Sequence, residues 1–190
     1  MYFYLSVLTG DTLRFQNRSA FAVGTLGCIA MDFNNTADIQ ANGFTGFKKI
    51  SDLWTDHSCI PDTKGVYLVL TPTPKRPAFL TTGVGGFFKG KNPNVTVDVL
   101  MDNWVGDAQV VYIGKATSLR KRLKQYLRFG QTNNVGHYGG RYIWQLKNHA
   151  DLLFCWQTTS DQIPGDVEQE LINSFRGQFN NRRPFANLTG

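Results

Sequence analysis

The sequence predicts a mixed α+β fold, because two kinds of apolar pattern alternate along the chain. Runs of β-branched and aromatic residues, typical of buried strands, occupy residues 65–70, 110–113 and 152–157. Apolar residues at helical spacing occupy residues 119–127, 141–146 and the stretch that begins at residue 164. The predicted order is therefore strand, strand, helix, helix, strand, helix.

The rest of the chain is organised around residues 109–127, where a strand leads directly into a basic helix. Gly114 is expected to end the strand, and Thr117 or Ser118 to cap the helix. On a helical wheel one face is apolar, with Leu119, Leu123, Tyr126 and Leu127. The opposite face should be solvated and carries Arg120, Lys121, Lys124 and Arg128. Arg122 lies at the edge of the apolar stripe, where a guanidinium needs a fixed anionic partner or ligand.

The C-terminal helix carries a carboxylate on its apolar face. Proline at position 164 is tolerated in a first turn, so the helix should begin there. Its apolar face holds Val167, Leu171, Ile172, Phe175 and Phe179. Glu168 falls in the middle of that face, whereas Glu170 points to the opposite side. An ion pair with an arginine, the nearby helix N-terminus or a functional cation would each stabilise the carboxylate, and a helix that begins later would move it off the apolar face; the wheel alone leaves these alternatives open.

Two tripeptides in order along the chain carry a resemblance to a known family. Residues 65–67 are Gly-Val-Tyr and residues 112–114 are Tyr-Ile-Gly. With Arg122 at the matching spacing, they resemble the signature of the GIY-YIG nuclease superfamily. The closest form is the nuclease domain of excision-repair endonucleases, in which lysine and tyrosine occupy the positions of Lys115 and Tyr126. A restriction-like or stand-alone member would also fit.

The resemblance covers roughly residues 60–190 and includes the C-terminal helix. Family members carry a metal-binding glutamate, then Leu-Ile, then Pro-x-x-Asn. Glu168, residues 171–172 and residues 184–187 match this order, although the gap before Pro184 is several residues longer than usual. Asn187 is accordingly the best candidate for the family asparagine.

The resemblance implies a metal-dependent endonuclease that hydrolyses phosphodiester bonds of DNA, most simply double-stranded DNA. The implied catalytic residues are Tyr67, Tyr112, Lys115, Arg122, Tyr126, Glu168 and Asn187, with Glu168 as the metal ligand. The implied nucleic-acid-binding residues are Lys115, Arg120, Lys121, Lys124 and Arg128. A single carboxylate with several waters suits Mg²⁺ or Mn²⁺ better than zinc. Tyr67 and Tyr112 are alternative general bases, and Lys115, Arg122 and the metal should lower the pKa of whichever tyrosine acts.

The resemblance further implies a small three-stranded antiparallel sheet flanked by helices. We expect an N-terminal extension at 1–60 and a nuclease-like domain at 61–190, with an insertion at about 78–108 between the first two core strands. In the extension, residues 2–8 are expected to form a strand, residues 21–31 a strand or helix, residues 34–38 a loop and residues 47–54 a helix. Strand pairing can survive such a long excursion.

Composition is consistent with this reading. Hydrophobic residues make up 42% of the chain, enough for a packed core, and the net charge of +6 favours a polyanionic partner. Three widely separated cysteines predict free thiols in a reducing cytoplasm rather than disulfides or a metal site. The short apolar N-terminus is interpreted as a strand rather than a signal peptide, and we expect no membrane partner.

Three features have competing interpretations. Residues 85–92 resemble a phosphate-binding loop, but Asn92 replaces the required hydroxyl and Pro93 interrupts the helix that should follow. They therefore predict a basic surface loop. Contact of this loop with nucleic acid and a plain surface role are the two alternatives. His137 is expected to be a solvated loop histidine, and the competing interpretation is that it touches the site. For the whole chain, the alternative to a nuclease is a non-catalytic nucleic-acid-binding module that kept the fold.

Overall fold

The computed structural model describes residues 31–188. Its helices are α1 (Thr36–Ala41), α2 (Ile50–Thr55), α3 (Val97–Asn103), α4 (Leu119–Phe129) and α5 (Pro164–Gln178). Its strands are β1 (Thr45–Lys49), β2 (Gly65–Leu70), β3 (Val110–Ala116) and β4 (Leu153–Thr158). Short 3₁₀ turns span Phe88–Gly90, Arg141–Gln145 and His149–Asp151. The strand predicted at 2–8, Cys28 and all but the last residue of 21–31 lie outside the described residues.

The mixed α+β class is confirmed, but within residues 31–188 the sheet has four antiparallel strands rather than the predicted three. Their order is β1-β4-β2-β3. The additional strand, β1, pairs with β4 through Thr45 opposite Trp156 and Lys49 opposite Leu153. The helix predicted at 47–54 begins only at Ile50, because residues 45–49 are taken up by this edge strand. The loop predicted at 34–38 likewise gives way to α1, whose N-cap is the Asn35 side chain.

The strands β2 and β3 pair directly in spite of the long excursion between them, as expected. Tyr67 lies opposite Gly114, and β3 continues through that glycine to Ala116, so the prediction that Gly114 ends the strand is wrong. The glycine is required there for space, since a β-carbon at Gly114 would lie 2.6 Å from the Tyr67 hydroxyl oxygen and 2.9 Å from the Tyr112 ring. The close approach of two tyrosines thus explains why this position is occupied by glycine.

The sheet has an apolar core on each face. Alternate residues of β2 face opposite sides, so Tyr67 and Val69 join the core with α2 and α4, while Val66, Leu68 and Leu70 join the core with α1 and α5. The buried stripe predicted for α4 is confirmed, since Leu119, Leu123, Tyr126 and Leu127 are all buried. The second predicted helix is a 3₁₀ turn, although Ile143 and Leu146 are buried as expected. Between residues 31 and 188, no helix is both long and apolar enough to cross a bilayer.

Candidate active site

Three tyrosines and a histidine form one buried cluster where β2, β3 and α4 meet. Tyr67 and Tyr126 are 0% exposed, whereas Tyr112 is 7% exposed and lines a cleft at the edge of the cluster. The ring centroid of Tyr67 lies 5.9 Å from the ring centroid of Tyr112 and 6.4 Å from that of Tyr126. The ring centroids of Tyr112 and Tyr126 lie 5.6 Å apart. The Tyr126 hydroxyl donates to the Gly140 carbonyl at 2.6 Å. Tyr67 and Tyr112, the two general bases proposed from the sequence, therefore lie close to each other, but only Tyr112 faces the cleft.

His137 belongs to this cluster, so the expectation of a solvated histidine is wrong. Its side chain is 0% exposed, its Nε2 lies 3.3 Å from the Tyr67 hydroxyl, and its ring stacks on Tyr126 at 3.7 Å between centroids. Its Nδ1 is buried without a hydrogen-bond partner among the described residues. Sequence analysis missed this residue because its approach to the cluster depends on the path of an irregular loop. The glycines at 136, 139 and 140 were the only local signal.

Lys115 and Glu168 form an ion pair at the mouth of the cleft. The distance from Lys115 Nζ to Glu168 Oε2 is 2.8 Å, and the two side chains are 55% and 18% exposed. The cleft has a volume of about 300 Å³ and is lined by Tyr112, Lys115, Gly139, Glu168, Gln169, Ile172, Arg183, Asn187 and Leu188. Glu168 therefore has the inward placement that its wheel position indicated, and Glu170 is exposed. Arg183 adds a positive charge to the wall of this cleft, and sequence analysis did not identify this residue.

Arg122 lies between the cluster and a second, larger cleft. Its Nη1 donates to the Gly136 carbonyl at 3.5 Å, next to His137. The second cleft has a volume of about 700 Å³, and its wall includes Lys115, Lys121 and Arg122. Since Lys115 lines both clefts, the two are adjacent and together form a surface that presents several cations.

Burial, rather than the neighbouring cations, dominates the acid–base properties of the cluster. Desolvation raises the pKa of Tyr112, and the Tyr67 hydroxyl and Arg122 oppose that rise only in part. Desolvation also raises the pKa values of Tyr67 and Tyr126 well above their ordinary range. The expectation that Lys115 and Arg122 would produce a tyrosine with a lowered pKa is therefore not met in the free protein. Burial, with Arg122 in second place, holds the pKa of His137 well below its usual value, so its imidazole is neutral.

Asn187 fixes the backbone of β3 as well as lining the cleft. Its Oδ1 accepts from the Ile113 N–H at 2.9 Å, and its Nδ2 donates to the Ile113 carbonyl at 2.8 Å. This pair satisfies both backbone groups of Ile113, which lies beside Tyr112. The C-terminal segment therefore holds the strand that carries the cleft tyrosine and Lys115.

The basic face of α4 differs from expectation at one residue. Lys121, Lys124 and Arg128 are exposed, as predicted. Arg120 is only half-exposed, and its guanidinium donates to the Ile60 carbonyl at 2.7 Å and the Ser58 carbonyl at 3.2 Å. Arg120 thus ties α4 to the loop before β2, because two carbonyls lie within reach of its forked donors.

The donor set around Glu168 fits a hydrated magnesium or manganese ion. Within residues 31–188, no group of three or more His, Cys, Asp or Glu side chains is arranged to hold a metal. A lone, partly exposed carboxylate beside a cleft matches an ion that keeps most of its waters, as Mg²⁺ does. Glu168 Oε2 faces Lys115, so the ammonium already occupies one side of this carboxylate.

Comparison of the chain with protein-family models, curated proteins and solved structures yields no match. The family resemblance therefore depends on the sequence motifs alone.

Proposed function

We propose that the protein is a metal-dependent endonuclease that hydrolyses phosphodiester bonds of DNA, in the manner of GIY-YIG nucleases. The observation that carries the proposal is that side chains from five chain segments lie in one cleft or directly beside it: β3, α5 and the C-terminal segment line the cleft, and β2 and α4 lie next to it. Strands β2 and β3 contribute the tyrosines, α4 contributes Arg122, α5 contributes Glu168, and the C-terminal segment contributes Asn187. Residues far apart in sequence are thereby neighbours that could serve as a base, as phosphate partners and as a metal-binding carboxylate.

The residues of the cleft divide the chemistry of hydrolysis among them. A water attacks phosphorus, the bond to the leaving oxygen breaks, and that oxygen takes up a proton as the hydroxyl product is released. Tyr112, in its ionised form, is the group that accepts the proton of the attacking water, because it faces the cleft and Tyr67 does not. Arg122 and Lys115 lie beside the cleft as partners for the phosphate oxygens, and the planar guanidinium suits bidentate contact.

The proposed cofactor is Mg²⁺ or Mn²⁺, held by Glu168. When bound, the ion would neutralise phosphate charge and favour ionised groups in the cleft. That contribution matters because burial raises the pKa of Tyr112 in the free protein.

A non-catalytic nucleic-acid-binding module is the second candidate, and the ion pair itself favours it. Lys115 already neutralises Glu168 at 2.8 Å, so the carboxylate is accounted for without a metal. In this alternative, the same cationic surface would bind phosphate groups and Glu168 would serve only to orient Lys115.

Cleavage of supercoiled plasmid by the purified chain separates the two candidates. The nuclease should nick or linearise plasmid with Mg²⁺ or Mn²⁺ and should be silent in EDTA. Glu168→Gln should abolish cleavage while retaining DNA binding, and Glu170→Gln, an exposed glutamate on the same helix, is the matched control. Binding without cleavage under every metal condition would establish the second candidate, and equal loss of cleavage in both variants would contradict the role of Glu168.

A further inference from the structure

Part of the insertion packs against the loop that carries His137. Gly86 N–H donates to the Phe129 carbonyl at 2.9 Å, and Thr132 N–H donates to the Val84 carbonyl at 3.1 Å. The Tyr138 hydroxyl donates to the Asn92 carbonyl at 2.9 Å. A side chain at Gly86 would overlap the Asn133 carbonyl, so this glycine is needed for the two segments to meet. The glycine-rich stretch is thus held by defined contacts at several points along its length.

The outer side of this packed pair presents aromatic rings together with cations. Phe87 is 52% exposed, an unusual fraction for a phenylalanine that sits next to well-packed chain. Lys89 lies beside it at φ 54, a costly conformation for a residue other than glycine, and its Nζ is 5.4 Å from the Phe88 ring centroid. The Arg141 guanidinium carbon lies 4.2 Å from the Tyr138 ring centroid. We name these neighbouring side chains the insertion platform: Phe87, Lys89 and Lys91 are exposed, and Phe88, Tyr138 and Arg141 are half-exposed on the two segments that pack together.

The platform is continuous with the candidate active site. Phe88 packs on Gly136, where an added β-carbon would lie 3.3 Å from its ring. The carbonyl of Gly136 is the group that accepts from Arg122. One residue therefore separates the aromatic surface from the guanidinium beside the cleft, and Gly139 of the same loop lines the cleft itself.

The platform residues lie in two acid-free stretches of the chain, which are separated by residues 98–107 with their three aspartates. Residues 72–97 and 108–150 hold twelve of the 20 lysines and arginines and none of the 14 acidic side chains. The twelve are Lys75, Arg76, Lys89, Lys91, Lys115, Arg120, Lys121, Arg122, Lys124, Arg128, Arg141 and Lys147. Such one-sided charge is costly in repulsion and indicates a polyanionic occupant.

We propose that the insertion platform binds unpaired nucleotides of the nucleic acid that occupies the neighbouring cleft. An exposed ring offers a stacking face to a base, and a base is available for stacking only where it is not already inside a duplex. Lys89 and Lys91 would contact the phosphates that flank a base stacked on Phe87. The inference extends the proposed function, on which it partly rests, by giving the substrate a single-stranded segment beside the scissile bond.

Fluorescence anisotropy with a labelled oligothymidylate of about 12 nucleotides, a length suited to such a surface, tests the proposal directly. Measurements in EDTA make the result independent of cleavage, so failure of the platform and failure of the nuclease are distinguishable. Phe87→Ala should weaken binding by roughly tenfold, the scale of one base–aromatic stack, and Phe87→Trp should restore it. Met101→Ala, at a 38% exposed apolar residue in α3, is the matched control and should have no effect.

Duplex DNA of the same length provides the second arm. Its affinity should be unchanged by Phe87→Ala, and the fluorescence of Phe87→Trp should be quenched by the oligothymidylate but not by the duplex. Equal weakening of single-stranded and duplex binding, or an unaltered affinity of Phe87→Ala for the oligothymidylate, would overturn the proposal. A Met101→Ala loss as large as that of Phe87→Ala would do the same.

Discussion

Lys115 Nζ lies 2.8 Å from Glu168 Oε2, and this contact joins β3 to the first turns of α5. The lysine side chain is 55% exposed and the glutamate 18%. A pair with one member so open to water stabilises the fold by at most about 1 kcal/mol after screening. Its main consequence is electrostatic, because the ammonium competes with any other cation for the same carboxylate.

Replacing Lys115 with methionine should therefore strengthen metal binding while weakening catalysis. With its competitor removed, Glu168 should bind Mn²⁺ up to roughly fivefold more tightly, the factor that about 1 kcal/mol represents. Electron paramagnetic resonance of free Mn²⁺ measures the affinity. Lys121→Met removes a charge from the adjacent cleft without touching Glu168 and is the control. Weaker Mn²⁺ binding by Lys115→Met would show that the ion does not use this carboxylate.

Local patterns predicted most of the elements that build the candidate site. The β2 and β3 strands and the α4 and α5 helices follow from apolar runs and wheels, and the structure confirms them. β1 was missed because Phe47, Ile50, Leu53 and Trp54 have helical spacing, yet Gly46 at φ 99 and Phe47 at φ 48 let the chain form a bulged edge strand first. Edge pairing with β4 is a tertiary effect, which a local pattern does not contain.

The candidate site was predictable where side chains lie on regular elements and not where they lie on loops. The wheel of α5 separated Glu168 from Glu170, because helix geometry fixes the direction of each side chain. The burial of His137 and the carbonyl contacts of Arg120 depend on where residues 130–140 and 56–60 travel, and no period in the sequence encodes those paths. The direction of the tyrosine pKa shifts was also predicted wrongly from proximity to positive charge, because desolvation outweighs that charge.

The basic residues of α4 should divide into a binding face and a catalytic edge. Lys121→Ala with Lys124→Ala should weaken DNA binding and flatten its salt dependence by up to about two units, because each exposed lysine neutralises about one phosphate. Turnover of bound DNA should survive. Arg122→Ala should bind nearly normally but turn over roughly a hundredfold more slowly, the scale of one lost charge partner in the transition state.

Salt titrations measure the change in DNA binding, and single-turnover cleavage measures the change in turnover of bound DNA. Lys147→Ala, an exposed basic residue outside α4, is the control for general loss of charge. Loss of turnover in the double variant, or a change confined to the salt slope in Arg122→Ala, would show that the division is wrong.

Asn187 should matter for stability as well as for the cleft. Asn187→Ala removes both hydrogen bonds to the Ile113 backbone, so the free energy of unfolding should fall by about 1–3 kcal/mol. Denaturant unfolding measures this change. Asn173→Ala, an exposed asparagine on α5, is the control. An unaltered unfolding midpoint for Asn187→Ala would contradict a clamp on β3 and leave the residue with a role at the cleft alone.

His137 should make the protein less stable as the solution becomes acidic. Its pKa in the folded chain lies well below the ordinary value, because the ring is buried and Arg122 is close. In the unfolded chain the imidazole titrates near its ordinary pKa of about 6.5, so below that pH the unfolded state takes up a proton and the folded state does not. The free energy of unfolding should therefore fall by up to about 1.4 kcal/mol per pH unit as the pH decreases from about 6.5 toward the folded pKa.

Thermal unfolding of His137→Phe tests this linkage. The phenylalanine ring keeps the shape that stacks on Tyr126 but has no proton to bind and no nitrogen for the Tyr67 hydroxyl. Its Tm should change less than that of the parent protein between pH values of about 7.5 and 5, even if the variant is less stable overall. His57→Gln, at a half-buried histidine outside the cluster, is the control for the loss of a histidine elsewhere in the chain. The same acid sensitivity in His137→Phe and the parent protein would mean that His137 is not kept neutral by its burial against the tyrosines.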